Sequence, residues 1–316
     1  MTTTTGNLPS PVQQRFDMKL LSRPSPDTIH KTMAMKKRLQ ERSGNILRLR
    51  RYNNLSTATV PLGNSGLNPA PQTLSALDID ATVNWYGSYV LITDQVTLIN
   101  EDPVLNQAAS LLAQSLRETE DELTKNMLQS TATAINAVGG ANGDNPTELS
   151  RTDINDVIRT LVVANAKRIS STIEGANKFG TGPVRQAYFA MCNSRLIPNL
   201  EQVDGFVSVA QYSSQMDILS SEWGSVSNIR FLTSSAGSIS EAASGLGADV
   251  FNVFITGEES YACIDLDGAS SSFIYRPLGY GDDPLLQRQS AGYKFASAER
   301  ILNDAWVVNL RTTLKV

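Results

Sequence analysis

Between Ala81 and Val138 the spacing of apolar side chains changes from one period to another. Ala81-Thr-Val-Asn-Trp-Tyr-Gly-Ser-Tyr-Val-Leu-Ile-Thr is rich in β-branched and aromatic residues and reads as a half-buried strand. After Asp102 and Pro103, an N-cap followed by proline in the first turn, apolar residues recur at Leu105, Ala108, Leu112, Leu116, Leu123, Met127, Ile135 and Val138. That spacing predicts one amphipathic helix from Pro103 to Val138, stopped by Gly139-Gly140. About 36 residues at ~1.5 Å each make a rod of roughly 54 Å, about three times the usual helix length. Such a rod suits a shell or a fibre better than an enzyme. Its Leu105, Leu112, Leu116 and Leu123 side is expected to pack on a sheet formed by the strand near Val90 and the C-terminal strand.

Before the rod the pattern is weaker. Residues 1–30 set Pro9, Pro11, Pro24 and Pro26 among Thr, Ser and Asn, favouring an extended arm that a neighbour must order. Residues 31–43 read as a short basic helix ending at Gly44, and Ile46 to Asn84 as a two-stranded excursion around a Gly/Pro/Asn-rich centre. After the rod and a polar turn, a second helix is expected from Thr152 or Asp153 to about Ser170. A Gly-rich loop at 175–182 leads to a strand at Val184–Met191, a short helix near Arg195–Glu201 and a further helix or turn near Ser213–Ser220. Strands follow at Ser227–Thr233 and Val250–Ile255, and a final strand carries Trp306, Val308, Leu310, Thr312 and Leu314 on one face. The order is α+β, without a regular βαβ rhythm or an internal repeat.

With 316 residues, 41% hydrophobic and 18% charged, the composition is ordinary for a globular chain, and no apolar run suggests a membrane span or signal peptide. Charge is uneven. Residues 1–55 hold eleven Lys/Arg against Asp17, Asp27 and Glu41, a net of +8, which with −4 overall leaves −12 for the remainder. A basic arm on an acidic body can lie against nucleic acid or against the body of another copy.

Candidate chemistry is sparse. His30 is the single histidine and sits in the Pro-rich arm, so no Ser-His-Asp or Cys-His arrangement can be built. Cys192 and Cys263 lack metal-ligand spacing and read as buried small hydrophobes. Gly175-Ala-Asn-Lys-Phe-Gly-Thr-Gly lacks the Gly-Lys-Ser/Thr of a phosphate loop and precedes a strand. Glu118, Glu120, Asp121 and Glu122 read as a solvated or interface face of the rod, and Asp282-Asp283-Pro284 as a turn. No catalytic, cofactor-binding or metal-binding residue is assigned, and the chain is not expected to be an enzyme.

Three stretches carry a resemblance. Asn84-Trp-Tyr-Gly-Ser-Tyr-Val-Leu-Ile-Thr-Asp, Glu222-Trp-Gly-Ser-Val-Ser-Asn-Ile-Arg-Phe and Asp283-Pro-Leu-Leu-Gln-Arg-Gln-Ser-Ala-Gly-Tyr-Lys, in this order around the rod, resemble major capsid proteins of tailed bacteriophages. The subgroup they look like is typified by coliphage N-four, with the Hong Kong 97-type shell fold. Its Gly-Glu-x-Gly turn is Ser221-Glu222-Trp223-Gly224 here, a departure at the first glycine.

The resemblance implies an N-terminal arm at 1–50, an extended loop at 51–88, a peripheral domain at 89–150 with 271–316, and an axial domain at 151–270. It implies a head protein that self-assembles into hexamers and pentamers of an icosahedral shell around double-stranded DNA, contacted non-specifically, with portal and scaffolding or decoration proteins as further partners. The place is the virion capsid, assembled in the bacterial host cytoplasm. Candidate inter-subunit residues are Lys36, Lys37, Arg38, Arg48, Arg50, Arg51, Leu62, Leu67, Leu74, Glu118 and Glu122. Some members of the fold cross-link a loop lysine to a neighbour's asparagine, but residues 52–84 contain no Lys, so that covalent lock is not expected here. Two other readings stay open: an encapsulin-like compartment shell, and a cytosolic nucleic-acid-binding or carbohydrate-active protein with a basic arm.

Overall fold

In the computed structural model the described residues are 25–59, 71–99, 104–138, 145–169, 186–212, 218–240, 249–268, 272–279 and 285–314. The first half contains β1 (Met35–Leu39), β2 (Ile46–Tyr52), β3 (Ala76–Thr82), β4 (Asn84–Thr93), α1 (Asp94–Ile99), α2 (Val104–Thr131), β5 (Thr133–Asn136) and α3 (Arg151–Val163). The second contains β6 (Tyr188–Asn193), α4 (Ile197–Glu201), β7 (Phe206–Ser208), β8 (Glu222–Val226), β9 (Ile229–Ser234), β10 (Ile239–Ser240), β11 (Val250–Thr256), β12 (Tyr261–Leu266), β13 (Ser272–Arg276), β14 (Arg288–Ile301) and β15 (Val307–Thr312).

These strands form two main sheets and a separate hairpin. One sheet runs β1-β12-β14-β13 with β4 on the other edge of β14. The other runs β5-β15-β11-β6-β9-β8-β7, with β10 also on β11, and the hairpin is β2-β3. Leu112, with partly buried Leu105, Leu116 and Leu123, sets one side of α2 on Tyr86 of β4 and Ala291, Tyr293 and Phe295 of β14. Ile154, Val157 and Leu161 of α3 pack on one face of the larger sheet, among Ala190, Phe231, Val253 and Leu310. Its other face meets the C-terminal part of α2 at Leu128 and a strap formed by Ile29, Met33 and Ala34.

Several expectations are corrected. The rod is one helix but stops at Thr131, and Thr133–Asn136 is a strand parallel to β15. Ile135 and Ala137, two apart, both face the core, so an alternating pattern follows the helical one without a break in apolarity. The stop at Gly139-Gly140, like the cap at Asp102-Pro103, lies outside the described residues. A short helix, α1, stands between the strand and the rod. The basic helix of 31–43 is instead strand β1, parallel to β12. Met35 and Leu39 are four apart, a spacing that satisfies both periods. Ile29, Met33 and Ala34 pack into the subunit's own core and His30 is buried, so this part of the arm is held by its own subunit and not by a neighbour.

The C-terminal strand does not share a sheet with the strand near Val90. It lies between β5 and β11, and the long strand β14 pairs with β4 under the rod. Nor is it one-sided: Val307 belongs to one core and Val308 and Leu310 to the other. On its polar side Arg311 is exposed but Asn309 is buried and bonded, its Nδ2 donating to Asn252 Oδ1 (3.2 Å), while on the other side Thr312 Oγ1 donates to the Thr147 carbonyl (2.9 Å). The second helix starts at Arg151, just before the expected Thr152 or Asp153, through a capping box between Ser150 and Asp153, and ends at Val163.

Candidate inter-subunit surfaces

The β2-β3 hairpin is paired to neither main sheet. Leu47 and Leu49 turn one face towards Ala81, Val83, Ile264 and Ala296, while Arg48 and Arg50 occupy the opposite face. Arg48 stands directly across from Asp80 and Arg50 from Asp78, so each guanidinium meets a carboxylate in a two-pronged contact of 2.7 and 2.9 Å, and 2.7 and 3.0 Å. Hydrogen bonds from Arg50 and Arg48 hold the Asp78 and Asp80 carboxyls below the usual range, and the two arginines are held correspondingly high. Both arginines are thus neutralised within their own hairpin. Beyond the pairs, Asn53 and Ser75 bridge the strands, and Gln72 donates to the Ser56 carbonyl. From Tyr52 to Leu77 no charged residue occurs. Leu74 is 72% exposed, and Leu62 and Leu67 lie outside the described residues.

The other sequence candidates do not converge on one place. Lys36, Lys37 and Arg38 are exposed on β1, at the border of the smaller sheet. Arg51 reaches the Leu302 carbonyl at 3.5 Å, across a groove between hairpin and body that Met35, Leu49, Ile79 and Trp306 line. On α2, Glu118 accepts from Gln114 (2.7 Å) and Glu122 pairs with Lys125, both within the helix.

One surface was not anticipated from sequence. The face of β4, β13 and β14 turned away from α2 exposes Trp85, Tyr89, Leu91 and Ile274, with Lys294 Nζ 4.3 Å from the centroid of the Trp85 ring. Gly87 and Gly292 lie between the aromatics. A Cβ on Gly87 would come within 2.7 Å of the Tyr293 carbonyl, and one on Gly292 within 2.7 Å of Tyr89 Cβ. The result is a bare trough walled by Trp85 and Tyr89, which Arg276 and Arg288 also line. Period-two spacing of Trp85, Gly87, Tyr89 and Leu91 was the signal, but it could not say which half of the strand was uncovered.

The quoted Glu222-Trp-Gly motif has a structural explanation. Glu222 forms a buried ion pair with Arg230 (Nε to Oε1, 2.7 Å) and accepts from Tyr212 Oη and Leu219 N, while a Cβ on Gly224 would strike the Phe206 ring. Burial pushes the Cys192 and Cys263 thiols up to about 12, leaving them inert. Among the described residues no His/Cys/Asp/Glu cluster could hold a metal ion, and no helix is long and apolar enough to cross a membrane.

The sequence model of the family described as phage capsid protein matches residues 76–261, more than half of the chain. No curated protein sequence matches. Among solved structures, the capsid of Ralstonia phage GP4 superposes with a TM-score of 0.72 at 12% identity, covering 100% of this chain and 99% of that one. The head structure of Helicobacter pylori bacteriophage KHP40 gives 0.68 at 12%, covering 99% and 97%. The capsid of cyanophage P-SCSP1u gives 0.65 at 12%, covering 96% and 94%. The fold is the α+β, Hong Kong 97-type capsid fold, and the chain belongs to the phage capsid protein family, as a shell-forming major capsid protein of a tailed phage.

Proposed function

We propose that copies of this subunit form hexamers and pentamers in which the uncharged loop beyond β2 and β3 of one copy lies in the Trp85/Tyr89 trough of the next. The observation that carries this reading is an exposed aromatic trough on a chain whose stretch from Tyr52 to Leu77 has no charge to desolvate. Internal neutralisation of Arg48 and Arg50 supports it, because these two side chains then approach a neighbour with their charge already paired. In this scheme residues 1–50 act as the arm and 51–88 as the extended loop. Residues 89–150 with 271–316 form the peripheral region and 151–270 the axial region, although β15, with β5 on its outer edge, pairs with the axial strand β11. The likeness of the three sequence stretches supports the coliphage N-four-like subgroup. Double-stranded DNA inside the shell, a portal, scaffolding or decoration proteins and assembly in the host cytoplasm complete the proposal.

Trp85→Ser combined with Tyr89→Ser tests it, since both side chains are exposed and their loss leaves the subunit's own core intact. The expected outcome is a folded protein that sediments as subunits or capsomers, with shells absent from negative-stain micrographs. Shells at the wild-type yield would overturn the docking.

A further inference from the structure

The chemistry of the Trp85/Tyr89 trough narrows what can fill it. Its floor is Gly87 and Gly292, bare of side chains, and its walls are the Trp85 and Tyr89 rings. Among the described residues the charged groups that line it are Arg276, Arg288 and Lys294, all cations, and no carboxylate does so. Guanidinium and ammonium groups donate hydrogen bonds and never accept them. A matching occupant has apolar side chains to lay on the rings, many acceptors for the rim and few donors of its own.

Within the uncharged stretch from Tyr52 to Leu77 one run has that character. Asn68-Pro-Ala-Pro71 carries four carbonyls but only two backbone N–H groups, because proline has none. Each proline fixes its own φ and turns the residue before it away from helical backbone, so local sterics bias all four positions towards the extended polyproline form. Four residues at ~3.1 Å each span about 12 Å in that form. Trp85 and Tyr89, four apart on one face of β4, stand roughly 13 Å from each other along the strand. Pro71 is exposed, five residues before β3, and Asn68–Ala70 lie outside the described residues.

We propose that the trough is a polyproline-binding groove, filled by Asn68–Pro71 of a neighbouring copy, with the proline rings laid on Trp85 and Tyr89 and the carbonyls accepting from the cations at the rim. This rests on the trough docking proposed above and goes further by naming the residues and the backbone conformation that dock. A run already held extended loses little freedom on binding, so a short contact contributes more than a flexible one of the same size. The cations would also suit the phosphates of a nucleic acid, but each copy brings one such run for one trough, and the floor and walls are apolar.

Pro69→Val combined with Pro71→Val keeps apolar bulk but restores two N–H groups and backbone freedom. In the full chain this pair should raise the subunit concentration needed for half-maximal assembly about tenfold, whereas Pro61→Val, outside the run, should leave it unchanged. A second measurement locates the run directly. A photo-reactive benzoylphenylalanine in place of Thr73, which is exposed and just beyond the run, should cross-link assembled copies to each other, and mass spectrometry should place the other end on β4, β13 or β14. If subunits with Trp85→Ser and Tyr89→Ser still form shells, the docking itself fails and this proposal with it. If they do not, but the Pro69/Pro71 variant assembles like the parent or the cross-link lands on another surface or on nucleic acid, the trough takes a different occupant and the polyproline proposal alone is overturned.

Discussion

Asp121 joins the strap to the middle of α2 with one nearly buried carboxylate that accepts from two backbone amides and an imidazole. Asp121→Asn keeps the size but presents an NH2 group where those donors converge, so unfolding in urea should show a loss of about 3 kcal/mol. Glu299 gives a pH-dependent counterpart. Its folded carboxyl is raised by burial, so the folded state holds the proton more firmly than the unfolded one, and the resulting stability is lost as pH rises through the folded value. Glu299→Gln should therefore be more stable than the parent at neutral pH and lose that advantage in acid, as melting temperatures across pH would show; an advantage that grows in acid would contradict the sign. Neither residue's task was legible in the sequence. His30 looked like an arm residue because prolines surround it, and Asp121 like one of four surface acids, since pairing across 91 positions leaves no local trace.

Among the elements, the spine helix α2 was the most legible, because its leucine stripe rests on a sheet and period and packing agree. Leu112 is the buried centre of that stripe, at 3% exposed, whereas Leu116 is only partly covered. Leu112→Ala should cost about 3 kcal/mol in denaturant unfolding, and Leu116→Asp a smaller but clear amount, since its carboxylate can reach water. The strands at 35–39 and 133–136 were illegible for a different reason. Their apolar residues fit both periods over so few positions that sheet partners decide, and β12 and β15 supply them. On the hairpin the Arg–Asp ladder was read as charge available to neighbours because facing pairs appear only once register is known. Its arginines are exposed, so added salt should weaken the Arg50–Asp78 coupling in a double-mutant cycle, with little effect on global unfolding.

At the scale of the whole molecule the chain divides its surface between parts that complete its own core and parts left for other copies. Residues 29–39 of the segment that the sequence presented as an arm belong to the first kind. Deleting residues 1–44 removes the strap from the core and β1 from the edge of β12, and should yield insoluble protein; a soluble truncation with a folded circular dichroism spectrum would contradict it. What then locks the shell follows from chemistry the loop does not contain. Residues 52–84 carry no lysine, so an isopeptide cross-link from that loop to a neighbouring asparagine has no amine to start from. In the proposed assembly cohesion comes from many non-covalent contacts repeated by symmetry, with the Trp85/Tyr89 trough and the exposed Leu74 as the surfaces offered for them. Particles boiled in detergent should accordingly run as one band near 34.3 kDa, and a ladder of covalent oligomers would require a different nucleophile elsewhere on the subunit.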